Sequence, residues 1–305
     1  MGSFKIRTDL ALEARESVEE GAEELRGVIV EEDYHEDSEV RITRVVIESK
    51  NSAKVLGKPI GTYLTLEAPA MILPDEDYHK EISGELAKQL RSVIPGIDKE
   101  PSVMVVGLGN RDVTADSLGP NVVDNLVITR HMVKEFGKAA YNQSHVPVIS
   151  ALIPGVMAKT GMESAEIIKG VVEKTKPDVV LVVDALAARS TKRLNRTIQI
   201  TNAGIHPGSG VGNYRNSITK ESLGVPVIAV GVPTVVDAAT IVNDVFRKMF
   251  AGMESELREI QEEIQVSMGE IYNMYVTGKD VDYEIKQISH IICDAINEAL
   301  ELQSE

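Results

Sequence analysis

Five short runs of almost entirely apolar residues constrain the fold of this chain more than any other feature of its sequence. Each run stops at Gly, Pro, Asp or Asn, and helical patterns such as residues 165–174 lie between several of them. Strands that are buried on both faces of a sheet have this composition. We therefore predict an α/β fold with a mostly parallel central sheet flanked by helices. The runs are Ser102–Gly109, Val146–Gly155, Pro177–Leu186, Thr197–Gly204 and Val225–Pro233.

The N-terminal part of the chain has a different pattern. Residues 11–35 are rich in Glu and Ala, which indicates a polar helix or a mobile segment. Val40–Ser49 and Thr62–Glu67 are rich in β-branched residues, and the turn Gly57–Gly61 lies between them, so we predict a hairpin or small sheet. A helix with an apolar stripe is predicted to start near Pro74.

The C-terminal part, from about Thr240, is predicted to be helical with one regular apolar face. The single cysteine, Cys293, falls on that face and is interpreted as a packing residue. We divide the chain into an N-terminal β-containing subdomain (10–98), an α/β catalytic core (99–245) and a C-terminal helical segment (246–305), preceded by residues 1–9.

Composition excludes several classes of function. The formal net charge is −15 and aromatic residues make up 4% of the 305 residues, whereas nucleic-acid binders usually carry basic patches and stacking platforms. One cysteine permits no internal disulfide, which is typical of a reducing compartment. No apolar run approaches the roughly 20 residues needed to cross a bilayer, and no secretory leader is visible. We expect a soluble cytoplasmic protein.

Chemistry is expected in the loops that follow the predicted strands, because ligands of open α/β sheets bind beyond the carboxyl ends of the strands. Asp116 follows the first run, Asp184 is interpreted as the end of the third, and His206 lies in the loop after the fourth. Two neighbouring carboxylates suit amide hydrolysis, since their repulsion keeps one protonated while the other activates water. Asp116 could also cap a helix, and His206 could bond backbone groups.

These loops form the rim of the predicted sheet, and other interpretations of the rim remain open. Asp116, Asp184 and His206 could instead form a metal site. The loop from Gly107 through Gly109 to Asn110 resembles the start of a dinucleotide-binding turn, but Asp112 stands where the third glycine would be. The sequence has no Walker motif, no HExxH, no GxSxG and no pepsin-type Asp-Thr-Gly.

Four long motifs, in order, give the chain a specific resemblance. VVGLGNRDVTADSLGP, VVDALAARS, NAGIHPGSGVGN and the opening RTDLALEARE are similar to the germination protease family, and the resemblance covers nearly the whole chain. It implies an atypical aspartic endopeptidase of the spore core, made as a zymogen and assembled as a homotetramer, whose substrates are small acid-soluble spore proteins. Its catalytic aspartates match Asp116 and Asp184. Gly107, Gly109, Asn110 and His206 are then interpreted as supporting residues at the rim.

The resemblance also gives a meaning to the N-terminal stretch Thr8-Asp9-Leu10-Ala11. Substrates of the family are cut after the acidic residue of a similar stretch, so residues 1–9 are predicted to be a propeptide. We expect self-processing at the Asp9–Leu10 bond, with the segment extended and accessible and with Leu10 in an apolar subsite.

Two alternatives from other classes remain at this stage. The fold and the two aspartates are also similar to hydrogenase-maturation endopeptidases, which would make the protein a metal-dependent peptidase with another client. A non-catalytic nucleotide-binding module is the second alternative, and the missing third glycine argues against it. No cofactor is expected, and the question of a divalent metal at the aspartate pair is left open.

Overall fold

The computed structural model describes residues 8–19, 26–36, 38–137, 146–208, 215–249, 271 and 274–300. Nine strands form one mixed sheet in the order β1-β2-β3-β7-β8-β6-β4-β5, with β9 paired to β8 outside this path. The strands are β1 (Val28–His35), β2 (Val40–Ile47), β3 (Gly61–Glu67), β4 (Val103–Gly107), β5 (Ile149–Leu152), β6 (Val179–Ala188), β7 (Thr197–Thr201), β8 (Val227–Asp237) and β9 (Tyr275–Val276).

Ten α-helices accompany these strands within the described part of the chain. They are α1 (Ala11–Glu19), α2 (Lys50–Leu56), α3 (Glu76–Val93), α4 (Leu118–Asn125), α5 (Arg130–Phe136), α6 (Met157–Thr160), α7 (Ser164–Thr175), α8 (Lys220–Leu223), α9 (Ala238–Met249) and α10 (Val281–Leu300). None of the helices in the described residues is both long enough and apolar enough to span a lipid bilayer.

The predicted mostly parallel sheet is wrong in its N-terminal half. The pairs β4–β5, β4–β6 and β6–β8 are parallel, but β1, β2, β3 and β7 pair antiparallel in succession and β7 is antiparallel to β8. The α/β class and the flanking helices are confirmed. Strand direction escaped the sequence analysis because a buried strand carries the same apolar residues whichever way it runs.

Two elements of the N-terminal part were not predicted. Residues 28–35 form strand β1, although the Glu-rich composition indicated a helix or a mobile segment, and helix α2 separates β2 from β3. β3 pairs with β7, so the N-terminal strands extend the central sheet and do not stand apart from it. The domain boundaries predicted from the sequence stay a prediction.

Alternation along β6 separates two cores. Val179, Leu181 and Val183 pack with residues of α3, α4 and α10 on one face, whereas Val180 and Val182 pack with α7 on the other. The apolar face of α10 is buried in the first core together with Cys293, which confirms the packing interpretation of that residue.

The start of α4 packs closely against the sheet, and this contact holds the position of the loop that carries Asp116. A Cβ atom added at Gly119 would lie 2.4 Å from the carbonyl oxygen of Leu108 and 2.6 Å from that of Val183. A Cβ at Gly107 would lie 2.3 Å from the carbonyl oxygen of Gly119. Only glycine therefore lets the start of α4 approach β4 and β6 this closely.

We predict that Gly119→Ala destabilises the protein by about 1–3 kcal/mol, because backbone atoms must move to admit the methyl group. Gly170→Ala in α7 is the matched control, since an added Cβ there meets nothing within 4 Å. The control should gain up to about 1 kcal/mol from reduced freedom of the unfolded chain. Urea denaturation of both variants checks this, and equal stabilities would contradict the steric account.

Candidate active site

Asp184 lies inside a strand and not at its end. The apolar residues before Asp184 predicted that the strand ends there, but β6 continues to Ala188, and Asp184 pairs with Gly231 of β8. Gly231 in turn pairs with Gln199 of β7, so the three residues form a row across the sheet. Alternation places Asp184 on the face of Val180 and Val182, where it is 6% exposed.

Asp116 reaches this region on a short 3₁₀ turn, Thr114–Asp116, between β4 and α4. The backbone N–H of Asn110 donates to the carbonyl oxygen of Asp116 at 2.9 Å, and the hydroxyl of Thr234 in β8 donates to that of Ala115 at 2.6 Å. Gly109 has a φ of +114°, and a Cβ there would lie 2.0 Å from the Asp116 carbonyl oxygen. The glycine thus permits the loop geometry that delivers Asp116.

A cavity of about 380 Å³ unites most of the predicted site residues. Asp116, Asp184, Gly109 and His206 line it together with Asp9. The other two predicted residues, Gly107 and Asn110, do not line the cavity. Gly107 packs against Gly119 where α4 crosses the sheet, and the backbone N–H of Asn110 holds the Asp116 turn. The structure therefore brings the two candidate carboxylates and the loop histidine to one cavity, as the sequence predicts.

Burial gives the two carboxylates unequal acidities. Burial, assisted by the charges of Asp116 and Asp9, raises the pKa of Asp184 well above its usual value, although the backbone N–H of Ala185 opposes this by donating to Oδ1 at 3.0 Å. Burial also raises the pKa of Asp116 to about 6, against a hydrogen bond from Asn110 and the charge of Arg215. Near neutral pH, Asp116 is therefore mostly ionised, whereas burial favours the protonated form of Asp184.

His206 lies at the cavity wall and is exposed to solvent. Partial desolvation there, with the charge of Lys58, lowers the pKa of His206, so its ring is neutral at neutral pH. The sequence left open a metal site formed with the aspartates. Among the described residues, however, no group of three or more His, Cys, Asp or Glu side chains is arranged to hold a metal ion.

The chain's own N-terminal segment enters the cavity. The backbone N–H of Asp9 donates to the carbonyl oxygen of Ala187 at 2.9 Å, and Oδ2 of Asp9 accepts from the backbone N–H of Ala187 at 2.9 Å. Leu10 is fully buried in an apolar cluster that includes Leu186 and Val236. Leu10 thus occupies an apolar pocket, as predicted. The predicted extended and accessible backbone is wrong, because Asp9 lies in a bend, Leu10 is fully buried and α1 starts at Ala11.

Glu13 of α1 anchors the segment next to β6. This carboxylate is 1% exposed and accepts from the backbone N–H groups of Arg189, at 2.6 Å, and Ser190, at 2.9 Å. Arg193 lies 3.4 Å from Glu13, and it makes two hydrogen bonds of 2.7 Å with Glu16 of α1. A buried carboxylate satisfied in this way holds the start of α1 firmly on the sheet.

Two residues of the cavity wall, Lys58 and Gln199, were missed by the sequence analysis. A signal existed for Gln199, because Thr197–Thr201 reads TIQIT and its polar residues all face one side of the sheet. No comparable signal marked Lys58, which looked like an ordinary turn residue in GKPIG.

Comparison with known proteins identifies the class of this molecule. The family profile described as germination protease matches residues 6–268. The germination protease of Caldanaerobacter subterraneus subsp. tengcongensis is 46% identical, over 97% of this chain and 94% of the relative. Those of Clostridium tetani (43%, covering 98% and 96%) and Bacillus mycoides (38%, covering 99% and 95%) are similarly complete matches. The protein is thus a peptidase. Specifically, the chain belongs to the germination protease family.

We predict that Asp116→Asn and Asp184→Asn each raise the melting temperature at neutral pH by about 2 °C or more. The pKa of each carboxyl group is higher in the folded protein than in the unfolded chain, so above about pH 4 the unfolded chain releases protons that the folded protein still binds. The parent therefore becomes less stable as the pH rises. Asparagine does not ionise, so the variants avoid this loss. The gain over the parent should shrink as the pH falls below about 4, the usual pKa of an aspartate in an unfolded chain, because both carboxyl groups then become protonated in the folded and the unfolded state. Calorimetry across this pH range checks the sign; variants less stable than the parent at pH 8 would contradict it.

Proposed function

We propose that the protein is a self-processing endopeptidase that starts the degradation of small acid-soluble spore proteins in the spore core during germination. The full chain is the zymogen, and activation cuts the Asp9–Leu10 bond. One observation carries this proposal: Asp9 lines the same cavity as Asp116 and Asp184, with Leu10 buried beside it. Membership of the germination protease family supports the activity and the class of substrate.

The unequal acidities of the aspartates suggest their roles. Ionised Asp116 takes a proton from water, whose oxygen adds to the carbonyl carbon of Asp9. Protonated Asp184 gives its proton to the nitrogen of Leu10 as the C–N bond breaks. The products are a new carboxyl group on Asp9 and a new amino group on Leu10. Proton transfer between the two aspartates then restores the starting state.

Cutting the bond does not by itself empty the site. Leu10 stays in its pocket and Glu13 stays bound to the backbone just beyond the end of β6, because these contacts lie on the C-terminal side of the cut. A substrate protein must therefore displace the start of α1 before its own residues can occupy the same positions. Processing and the opening of the site are two separate steps in this account.

No observation in the described chain favours the metal-dependent alternative, because its candidate ligands do not form a suitable group. The proposed reaction uses neither a metal ion nor a cofactor. A chelator should accordingly leave the rate of processing unchanged.

We expect a homotetramer in solution. The family resemblance motivates this, and large apolar side chains are exposed near α9 and β9, including Val245 (51%), Met249 (70%) and Met274 (58%). Light scattering of the full chain at micromolar concentration should give four times the chain mass. The mass of a single chain would contradict the expectation.

The decisive experiment follows self-processing of the purified full chain by mass spectrometry. The parent should acquire a new N-terminus at Leu10, at a rate that rises through pH values of about 6 as Asp116 ionises. Asp116→Asn and Asp184→Asn should each slow the reaction by about a thousand-fold or more, because each removes one half of the acid–base pair.

Asp112→Asn is the matched control for these variants. Asp112 lies in the same loop but is exposed and paired with Lys159, so its loss should not change the rate. A Leu10 terminus that appears equally fast in Asp184→Asn would assign the cut to a separate protease. A parent chain that is cut only at other bonds would refute the processing site.

A further inference from the structure

The carbonyl group of the proposed scissile bond is bound by two side chains. The carbonyl oxygen of Asp9 accepts a hydrogen bond from Nζ of Lys58 at 2.8 Å and another from Nε2 of Gln199 at 3.3 Å. Lys58 also donates to the carbonyl oxygen of Thr8 at 3.1 Å. Neither side chain belongs to the aspartate pair, and both line the cavity.

A hydrogen bond with Ala11, which follows the Asp9–Leu10 bond in the chain, orients the side chain of Gln199. Its Oε1 accepts from the backbone N–H of Ala11 at 2.8 Å, which leaves Nε2 to face the Asp9 carbonyl oxygen. The residue is 6% exposed and lies in the row that runs through Gly231 to Asp184. Its amide therefore spans the Asp9–Leu10 bond in a fixed orientation.

Lys58 is held in place by the end of α2. Gly57 caps this helix at a φ of 64°, and the backbone N–H of Lys58 donates to the carbonyl oxygen of Ala53 at 3.1 Å. Burial lowers the pKa of the Lys58 ammonium, while the carboxylates of Asp9 and Glu13 act in the opposite direction. A positive charge taken out of water acts strongly on nearby charge, since it has little solvent to screen it.

We propose that Lys58 and Gln199 are further catalytic residues that bind the oxyanion formed on the carbonyl oxygen of the cleaved bond. This inference rests on the proposed function. As the water oxygen bonds to the carbonyl carbon, the C=O π electrons move to oxygen, and two N–H groups are already directed at that atom. When the C–N bond breaks, the C=O bond re-forms and the amine takes its proton from Asp184. Lys58 and Gln199 keep their own protons throughout.

The same pair would act on substrate proteins. A substrate must place its scissile carbonyl where Asp9 places its own, because the aspartates are fixed in the sheet and in the loop beside it. Lys58 then binds the carbonyl oxygens of the two residues before the cut, as it binds those of Thr8 and Asp9 here.

The test measures the first-order appearance of the Leu10 terminus in full-length variants. Lys58→Ala should slow processing by about 10²–10³-fold, the usual effect of losing one oxyanion donor. Gln199→Glu keeps the acceptor for Ala11 but loses the donor, so it should also slow processing, by about ten-fold or more. Lys54→Ala is the matched control, because Lys54 is an exposed lysine of α2, and its rate should equal that of the parent.

Chemical rescue separates catalysis from a structural role. Added ethylammonium, which carries N–H donors, should restore part of the Lys58→Ala rate, whereas tetramethylammonium, which has the charge but no donor, should not. A slow variant that ethylammonium does not accelerate would assign Lys58 a structural role and overturn the proposal. Unchanged rates in both Lys58→Ala and Gln199→Glu would overturn it as well.

The outcomes also distinguish a failure of the proposed processing from a failure of the proposed role of Lys58 and Gln199. A parent chain that never gains a Leu10 terminus refutes the proposed processing and this inference together. A parent that is cut at Asp9–Leu10, with variants that are cut equally fast, refutes only the role of Lys58 and Gln199. If Lys58→Ala proves unfolded by circular dichroism, Gln199→Glu decides the outcome, since it preserves side-chain volume and the contact with Ala11.

Discussion

Asp184 belongs to a buried polar patch. The patch lies on the face of β6, β7 and β8 that is opposite α3 and α10. Buried polar groups are stable only where they find hydrogen-bond partners. The N-terminal segment supplies those partners. Asp9 pairs with the backbone of β6, and Glu13 accepts from two consecutive backbone N–H groups beyond the end of that strand. The segment is therefore a structural part of the folded chain as well as its proposed substrate. The position of α1, the burial of the aspartates and the shape of the cavity all depend on this docking.

Burial of the site has an electrostatic consequence. Asp184 is buried and lies near the charges of Asp116 and Asp9, and both effects raise its pKa. Asp116 stands at the more open side and ionises near pH 6. The fold thus gives two chemically identical side chains different acidities, which the proposed reaction uses as an acid and a base. The Lys58 ammonium offsets part of this negative charge at the Asp9 carbonyl group, to which the proposed reaction adds water.

Much of the site was predictable because its signals are local. Asp116 and Asp184 stood out as carboxylates beside apolar strands, and the stretch around Leu10 stood out by its motif. The sheet itself was only partly predictable. Apolar runs showed which segments are buried, but strand direction, the continuation of β6 beyond Asp184 and the pairing of β3 with β7 depend on neighbours that are distant in sequence. β1 was missed because most of its residues face solvent, which leaves no apolar pattern.

By itself, the sequence determined the α/β class and the family, and it singled out the two candidate carboxylates, because composition, motif and local alternation are properties of short stretches of chain. Only the tertiary structure decided what surrounds the bond between Asp9 and Leu10. Lys58 follows α2 and Gln199 lies in β7, 141 residues further along, yet both donate to one carbonyl oxygen. No pattern in either stretch encodes that meeting, since it results from the antiparallel addition of β3 and β7 to the sheet and from the docking of α1 on the face they form.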